Sequence, residues 1–416
     1  MIKKTLYSFI LSLLCFYTAS AAEFKASLYS EVGFASLNGN SALNPDNLYD
    51  IDEFRFYNRG TFTAKDSFKD HINGLITLEG LYIPQDFFHD RRGLKQLQIK
   101  ELCVDVLERN FTVRIGKQYL KWGDGTFFNP SSDILNHKRN PLRPLAEAEG
   151  NQFVHITAPV NDGLTAELLV IQSDENGRGI KAVEDVAVLP KLSFSLGNLS
   201  GFFLAEMQKH AGPLYGTALN YVNSWSEYTD LAFFIESQLK TYTKRYEVVK
   251  NMRDFAIKEE SGDSFFLLVM GARLQHSFAE LGWLDGVSFL AEYYYDEENW
   301  SHNDFKHYID YLRDSRLSNL HSKVLSLGES FKNSRYYIYS GLLLHSLFIQ
   351  EFYILNSTVI NLEDSSVIWI PDVYYTFANQ NATVGMRSYC FLGSSRSEFG
   401  NSPTHYQVMA YLEFSF

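Results

Sequence analysis

The residues with the most evident chemistry lie in one stretch, 119–150. Lys121, Lys138, Arg139 and Arg143 stand there among Asp124, Asp133, Glu147 and Glu149. Trp122, Gly123, Gly125, Pro130, Pro141 and Pro144 punctuate the same stretch and impose fixed turns. Bases set against acids across a gap create a transverse field that sorts solutes by charge and dipole. The same residues would also make a solvated loop held by proline and ion pairs. A second set of cations is dispersed: Arg55, Arg59, Arg114 and Arg387, each on a segment where polar and apolar residues alternate. Such cations either line an aqueous wall or pair with acids such as Glu101 and Asp105 and stabilise it.

Other chemistries find little support. The chain has no H-E-x-x-H, no G-x-S-x-G and no phosphate-binding glycine loop, so no enzymatic reading emerges. His302 and His307 lack the i,i+4 spacing of a helical metal site. Asp46, Asp50, Asp52 and Glu53 form an acidic run without calcium-loop spacing and read as a solvated loop. No cofactor is expected. Cys15, Cys103 and Cys390 show no zinc spacing, and the last two alternate onto opposite faces, as free thiols. The net charge of −12 disfavours a nucleic-acid partner.

Period-2 alternation is the pattern that must position these residues. In the last segment Tyr406, Val408, Ala410, Leu412, Phe414 and Phe416 alternate with Gln407, Met409, Tyr411, Glu413 and Ser415. Segment 51–64 points Arg55, Tyr57 and Arg59 one way and Phe54, Phe56 and Phe62 the other. Arg114 and Gln118 oppose Val113 and Ile115. Eighteen such segments can be read between 24 and 416, with sixteen as the alternative count. Connections alternate between short turns, such as Gly197-Asn198, and long loops at 36–50, 119–150, 240–263, 297–333 and 393–403. Within 297–333, the apolar spacing over Tyr308–Leu327 predicts either a short helix or an irregular loop.

Composition narrows the class. The 416 residues include 33 Phe and 26 Tyr, yet hydrophobics make up only 45% and mean hydropathy is −0.18. Disordered chains are poor in aromatics, and no run after the leader reaches the ~20 apolar residues of a membrane helix. A transmembrane β-barrel reconciles many aromatics with low hydropathy, since only alternate residues touch lipid. Residues 1–22, with Lys3-Lys4, an apolar run and Ala19-Ser20-Ala21, read as a signal peptide, and 23–416 as the barrel.

Two resemblances refine this. The aromatic terminal residue, with Tyr406, Leu412, Phe414 and Phe416 on one face, resembles the assembly signal of bacterial outer-membrane proteins. It implies the barrel-assembly machinery and outer-membrane lipids as partners, in a diderm bacterium. Arg114-Ile-Gly-Lys-Gln118, then Trp122-Gly123, then Asn129-Pro130 and Asp133 resemble a motif of poorly characterised porin-like outer-membrane proteins, R-x-G-[RK]-Q, W-G and N-P-x-D. Here the last spacing is one residue longer.

The expectation is an all-β transmembrane antiparallel barrel that passes small solutes by passive diffusion. Its third external loop, 119–150, would turn inward and narrow the pore. Arg55, Arg59, Arg114, Lys121, Trp122, Asp124, Asp133, Lys138, Arg139, Arg143 and Arg387 would line the lumen or constriction. The alternative is a barrel whose long external loops bind a host or environmental partner.

Overall fold

The computed structural model describes residues 23–47, 51–68, 71–83, 94–133, 151–172, 186–208, 212–241, 244–250, 255–261, 264–278, 281–314, 333–377 and 381–416. The leader segment 1–22 lies outside the described residues.

Eighteen strands form one closed antiparallel barrel. They are β1 (Glu23–Leu37), β2 (Phe54–Phe68), β3 (Ile72–Ile83), β4 (Leu94–Glu108), β5 (Phe111–Gln118), β6 (Asn151–Asn161), β7 (Leu164–Gln172), β8 (Val186–Leu196), β9 (Leu199–Gln208), β10 (Leu214–Ser226) and β11 (Thr229–Thr241). After an excursion come β14 (Ser264–Ser277), β15 (Gly286–Asp296), β16 (Tyr336–His345), β17 (Phe352–Asn361), β18 (Val367–Phe377), β19 (Ala382–Leu392) and β20 (Thr404–Ser415). Each pairs with its sequence neighbour, and β11 pairs with β14. β20 returns to β1, from Ser27 opposite Ser415 to Leu37 opposite Thr404, which removes both sheet edges.

The alternation is inverted relative to a soluble sandwich. On β1, Phe24, Leu28, Val32 and Phe34 face outward and are exposed, while Tyr29 is 2% exposed. On β2, Phe54, Phe56 and Phe62 are exposed and Arg59 is buried. A charged residue on a lipid-facing position costs about 2–4 kcal/mol at the midplane, so this parity is strongly enforced. At one place the register breaks. A bulge at Lys100 on β4 sets Thr77 opposite Glu101 and Leu78 opposite Ile99. The extra residue is accommodated because the buried Lys100 ammonium lies 2.8 Å from the Glu79 carboxylate. Turns at one end are short, and Gly197 takes φ +61 in a two-residue turn that L side chains rarely adopt.

Two elements depart from the sequence reading. Loop 240–263 carries a separate hairpin, β12 (Lys244–Lys250) with β13 (Phe255–Ser261), which its dense charges had hidden. The external helix is real but starts earlier: α2 spans His302–Asp314, after a single helical turn α1 at Pro130–Asp133. A capping box sets its start. The Ser301 hydroxyl accepts the Asp304 N–H at 3.4 Å, and the Asp304 carboxylate accepts the Ser301 N–H at 3.0 Å and the Ser301 hydroxyl at 2.7 Å. Residues 315–332 lie outside the described residues.

Candidate functional site: the lumen and its third loop

Segment 119–133 begins at the end of β5 and reaches the far side of the barrel. Its first anchor is Trp122. The indole is buried in a cluster of inward side chains from β6 to β10, including Phe153, Leu169, Leu189, Phe202 and Leu204. The Lys191 ammonium lies 4.5 Å from the Trp122 ring centroid and 2.6 Å from Glu167, which also accepts from Ser193. Gly123 follows at φ +77, where an added Cβ would sit 2.4 Å from a Glu236 oxygen. Only glycine allows this approach.

Two carboxylates then take hold of the backbone. Glu236 Oε1, on β11, accepts the N–H groups of Asp124 and Gly125, each at 2.9 Å. Its Oε2 accepts the Ser131 hydroxyl at 2.7 Å and the Ser131 N–H at 3.3 Å. Glu292, on β15, accepts from Thr126 at 2.6 Å, Phe127 at 3.0 Å and Phe128 at 2.9 Å. Phe127 stacks flat on Tyr339 of β16, centroids 4.5 Å apart, and Phe128 stacks on Tyr294 at 4.6 Å. Arg273 donates to the Thr126 hydroxyl at 3.0 Å. β15 and β16 stand eight and nine strands from β5 in the eighteen-strand ring, so these bonds tie the loop to the opposite wall.

The expected site residues separate into groups. Trp122 and Asp124 belong to this docked segment, and burial raises the Asp124 carboxyl above the usual range against the pull of Arg273 and Lys121. Lys121 is exposed. Asp133 ends α1. Lys138, Arg139 and Arg143 lie outside the described residues. Arg114 is on the inward face but is matched by Asp105: its Nε donates to one oxygen and its Nη2 to the other at 2.6 Å. Its Nη1 donates to Gln118 at 2.9 Å. Arg387 donates to Asp372 from Nε at 2.8 Å, and its guanidinium lies 5.3 Å from the Tyr411 ring centroid. Arg55 and Arg59 share the inward face of β2. Tyr406, Leu412 and Phe414 alternate on β20, and Phe416 follows it, 74% exposed. Glu236 and Glu292 escaped the sequence reading. Each is an acid at inward parity, and its partners, nearly all of them backbone N–H groups, are more than a hundred residues away.

The long-loop end of the barrel is knitted together around Glu398. Its carboxylate accepts from the Asn333 N–H at 3.0 Å, the Ser334 hydroxyl at 2.9 Å, the Tyr337 hydroxyl at 2.5 Å and the Asn361 amide at 2.8 Å. Nearby, Ser41 donates to the Asn401 carbonyl at 2.6 Å, and α2 buries Phe305, Tyr308 and Ile309 against Trp300 and Ala42. Burial, helped by Asp364, raises the Glu398 pKa to about 7 despite its four donors. A folded carboxyl with a raised pKa keeps a proton that the unfolded segment releases near about 4.3. Its stabilisation is complete at low pH, falls as pH rises towards about 7, and is flat above. Amides 333–337 and 397–402 are therefore expected to exchange faster at pH 8 than at pH 5.5, after correction for intrinsic rates. Glu398→Gln should abolish the difference. Equal protection at both pH values in the unaltered protein would refute this.

No protein-family profile matches the chain, and no curated protein matches it. Solved structures do match. OccK9 (OpdG) of Pseudomonas aeruginosa superposes with a TM-score of 0.60 at 10% identity, over 95% of this chain and 98% of that one. OccAB1 of Acinetobacter baumannii gives 0.58 at 12%, over 94% and 96%. OpdQ of Pseudomonas aeruginosa gives 0.56 at 11%, over 95% and 98%. The fold is that of the Occ/OprD outer-membrane porins.

Proposed function

We propose that the chain is an outer-membrane channel for passive diffusion of small solutes, with its third external loop narrowing the lumen. The observation that carries this reading is the docking of residues 124–131 on Glu236 and Glu292, across the ring from β5. A barrel of this size would otherwise hold a wide aqueous channel. A loop bonded to the opposite wall divides that space. On this reading Lys121 and Asp124 of the loop and Arg114 at its root meet passing solutes, and Lys138, Arg139 and Arg143 share that assigned role. Segment 1–22 acts as the export leader. The outward face of β20 meets lipid and presents the assembly signal.

The test is ion flow through refolded protein in a planar bilayer. Unaltered protein should give discrete conductance steps. Replacing Arg114 and Arg139 by Gln together should move the reversal potential in a salt gradient towards cation preference, because removing fixed positive charge lowers the local anion concentration. The shift is also favoured because Asp105 loses its counter-charge. Folded protein without conductance steps would return weight to the reading in which the external loops bind a partner. An unmoved reversal potential would place both arginines away from the constriction.

A further inference from the structure

One rung of the barrel is lined by aromatic rings along most of its course. Tyr57 stands directly opposite Glu31, Glu31 opposite Tyr411, and Tyr411 opposite Gly385. Gly385 stands opposite Tyr374, and Tyr374 opposite Tyr353. His345 closes the row, its ring 5.9 Å from Tyr353. The rings contact one another in two groups, one on each side of Gly385. Tyr353 stacks on Tyr374 at 4.9 Å, and Tyr29 bridges Tyr411 and Tyr57, each at 5.8 Å. The gap at Gly385 is filled by the Tyr411 ring itself, because a Cβ there would lie 2.4 Å from the ring. The glycine lets that ring lie flat along the wall instead of standing into the lumen.

The rung also climbs. His345 is the last residue of β16 and Tyr353 the second of β17, both at the short-turn end. Tyr57 is the fourth residue of β2, at the long-loop end. Tilted strands make any rung wind along the barrel axis, so this one traverses the wall over seven strands. Its polar groups carry little net charge. Asp372 is held by Arg387 at 2.8 Å and by the Tyr411 hydroxyl at 3.0 Å, and Glu31, which accepts from Tyr29 at 2.6 Å, feels the positive charges of Arg387 and Arg55.

We propose that this rung is a translocation rail for neutral ring-shaped polyols, with sugars in pyranose form as the substrate class; its contact surface is the half-buried rings Tyr353 and Tyr374 at one end and Tyr57 at the other, while Tyr29 and Tyr411 are buried in the wall between them. The C–H face of a pyranose packs on aromatic rings, and its hydroxyls exchange hydrogen bonds with phenols, carboxylates and a guanidinium without needing a net field. Balanced charge along the rail gives an anion no comparable attraction. The proposal deepens the channel reading and rests on it for transport, while binding to the rail can be measured separately.

The test uses cellobiose on refolded full-length protein. In planar bilayers, cellobiose should reduce the ion current in a saturable manner, while the acyclic polyol sorbitol should act only in proportion to its concentration. Tyr353→Leu with Tyr374→Leu should raise the half-saturating cellobiose concentration by about ten-fold or more. The two Tyr→Phe changes, which keep the rings, should raise it less. Non-saturable cellobiose block, or the same midpoint in the Leu variant, overturns the rail. So does saturable block by benzoate but not by cellobiose. Calorimetric titration of the detergent-folded protein separates the two readings. Tyrosine-dependent binding without ion current keeps the rail and removes the channel, and current without binding does the reverse.

Discussion

Replacing Glu236 and Glu292 by Ala together is expected to release the third loop and to raise single-channel conductance. The two carboxylates accept the backbone N–H groups of Asp124, Gly125, Thr126, Phe127, Phe128 and Ser131. Alanine leaves those donors inside the barrel without their acceptors. An unmade hydrogen bond to a buried donor costs roughly 1–3 kcal/mol; the bonds from Gly125, Phe128 and Ser131 are buried and those from Asp124, Thr126 and Phe127 partly so, and together they outweigh what Phe127 and Phe128 recover by stacking. By leaving the wall the loop satisfies its N–H groups in the water of the lumen. Because conductance follows the open cross-section, the increase should be roughly two-fold or more. Glu292→Gln alone should have a smaller effect, since its amide oxygen still accepts. An unchanged conductance in the folded double variant would mean that the loop stays docked without these acids.

Deleting Phe416 is expected to cut the amount of inserted protein sharply while leaving export intact. The phenyl ring is exposed beside the closing strand and stacks on Phe414 at 6.2 Å. Before closure, β20 offers a free edge, and the assembly machinery would take it by strand addition. Burying one such ring against a receptor contributes about 1.5–3 kcal/mol, which corresponds to about ten-fold or more in recruitment. Once the barrel has closed, Phe416 adds two backbone bonds with Ala26, at 2.8 and 3.1 Å, and the exposed stack on Phe414. The stability of protein that has already folded should therefore change little. Heat-modifiable gel migration of outer-membrane fractions checks this. Undiminished inserted protein would show that the terminal ring is not read.

The wall was legible in the sequence because lipid imposes a rule on every second residue. Phe54, Phe56 and Phe62 had to face one way once Arg55 and Arg59 faced the other, and repeating that reasoning yields eighteen strands. The Leu and Ile spacing at 309–327 leaves a helix and an irregular loop equally open, and the helix that forms starts earlier because Ser301 and Asp304 fix its first turn. The loop was legible as composition and not as contacts. Trp122 and the glycines mark a constrained path, but Glu236 and Glu292 hold peptide groups, and a peptide group has no sequence signature. Arg114 and Arg387 were legible as inward cations. Of the acids suggested for them, Asp105 does pair with Arg114, whereas Asp372, the partner of Arg387, was not foreseen. The aromatic rung needed register across seven strands, and register is fixed only when the barrel closes.

Residues beyond β5, on the channel reading, occupy and narrow the lumen. The most direct measurement is the single-channel conductance of refolded protein lacking residues 126–145, beside the unaltered protein in the same bilayer and salt. The deletion removes the Phe127–Tyr339 and Phe128–Tyr294 stacks and all of the bonds to Glu292. If the loop narrows the pore, conductance rises and selectivity for charge weakens. Identical conductance and reversal potential in the two proteins, with folding verified, would contradict it.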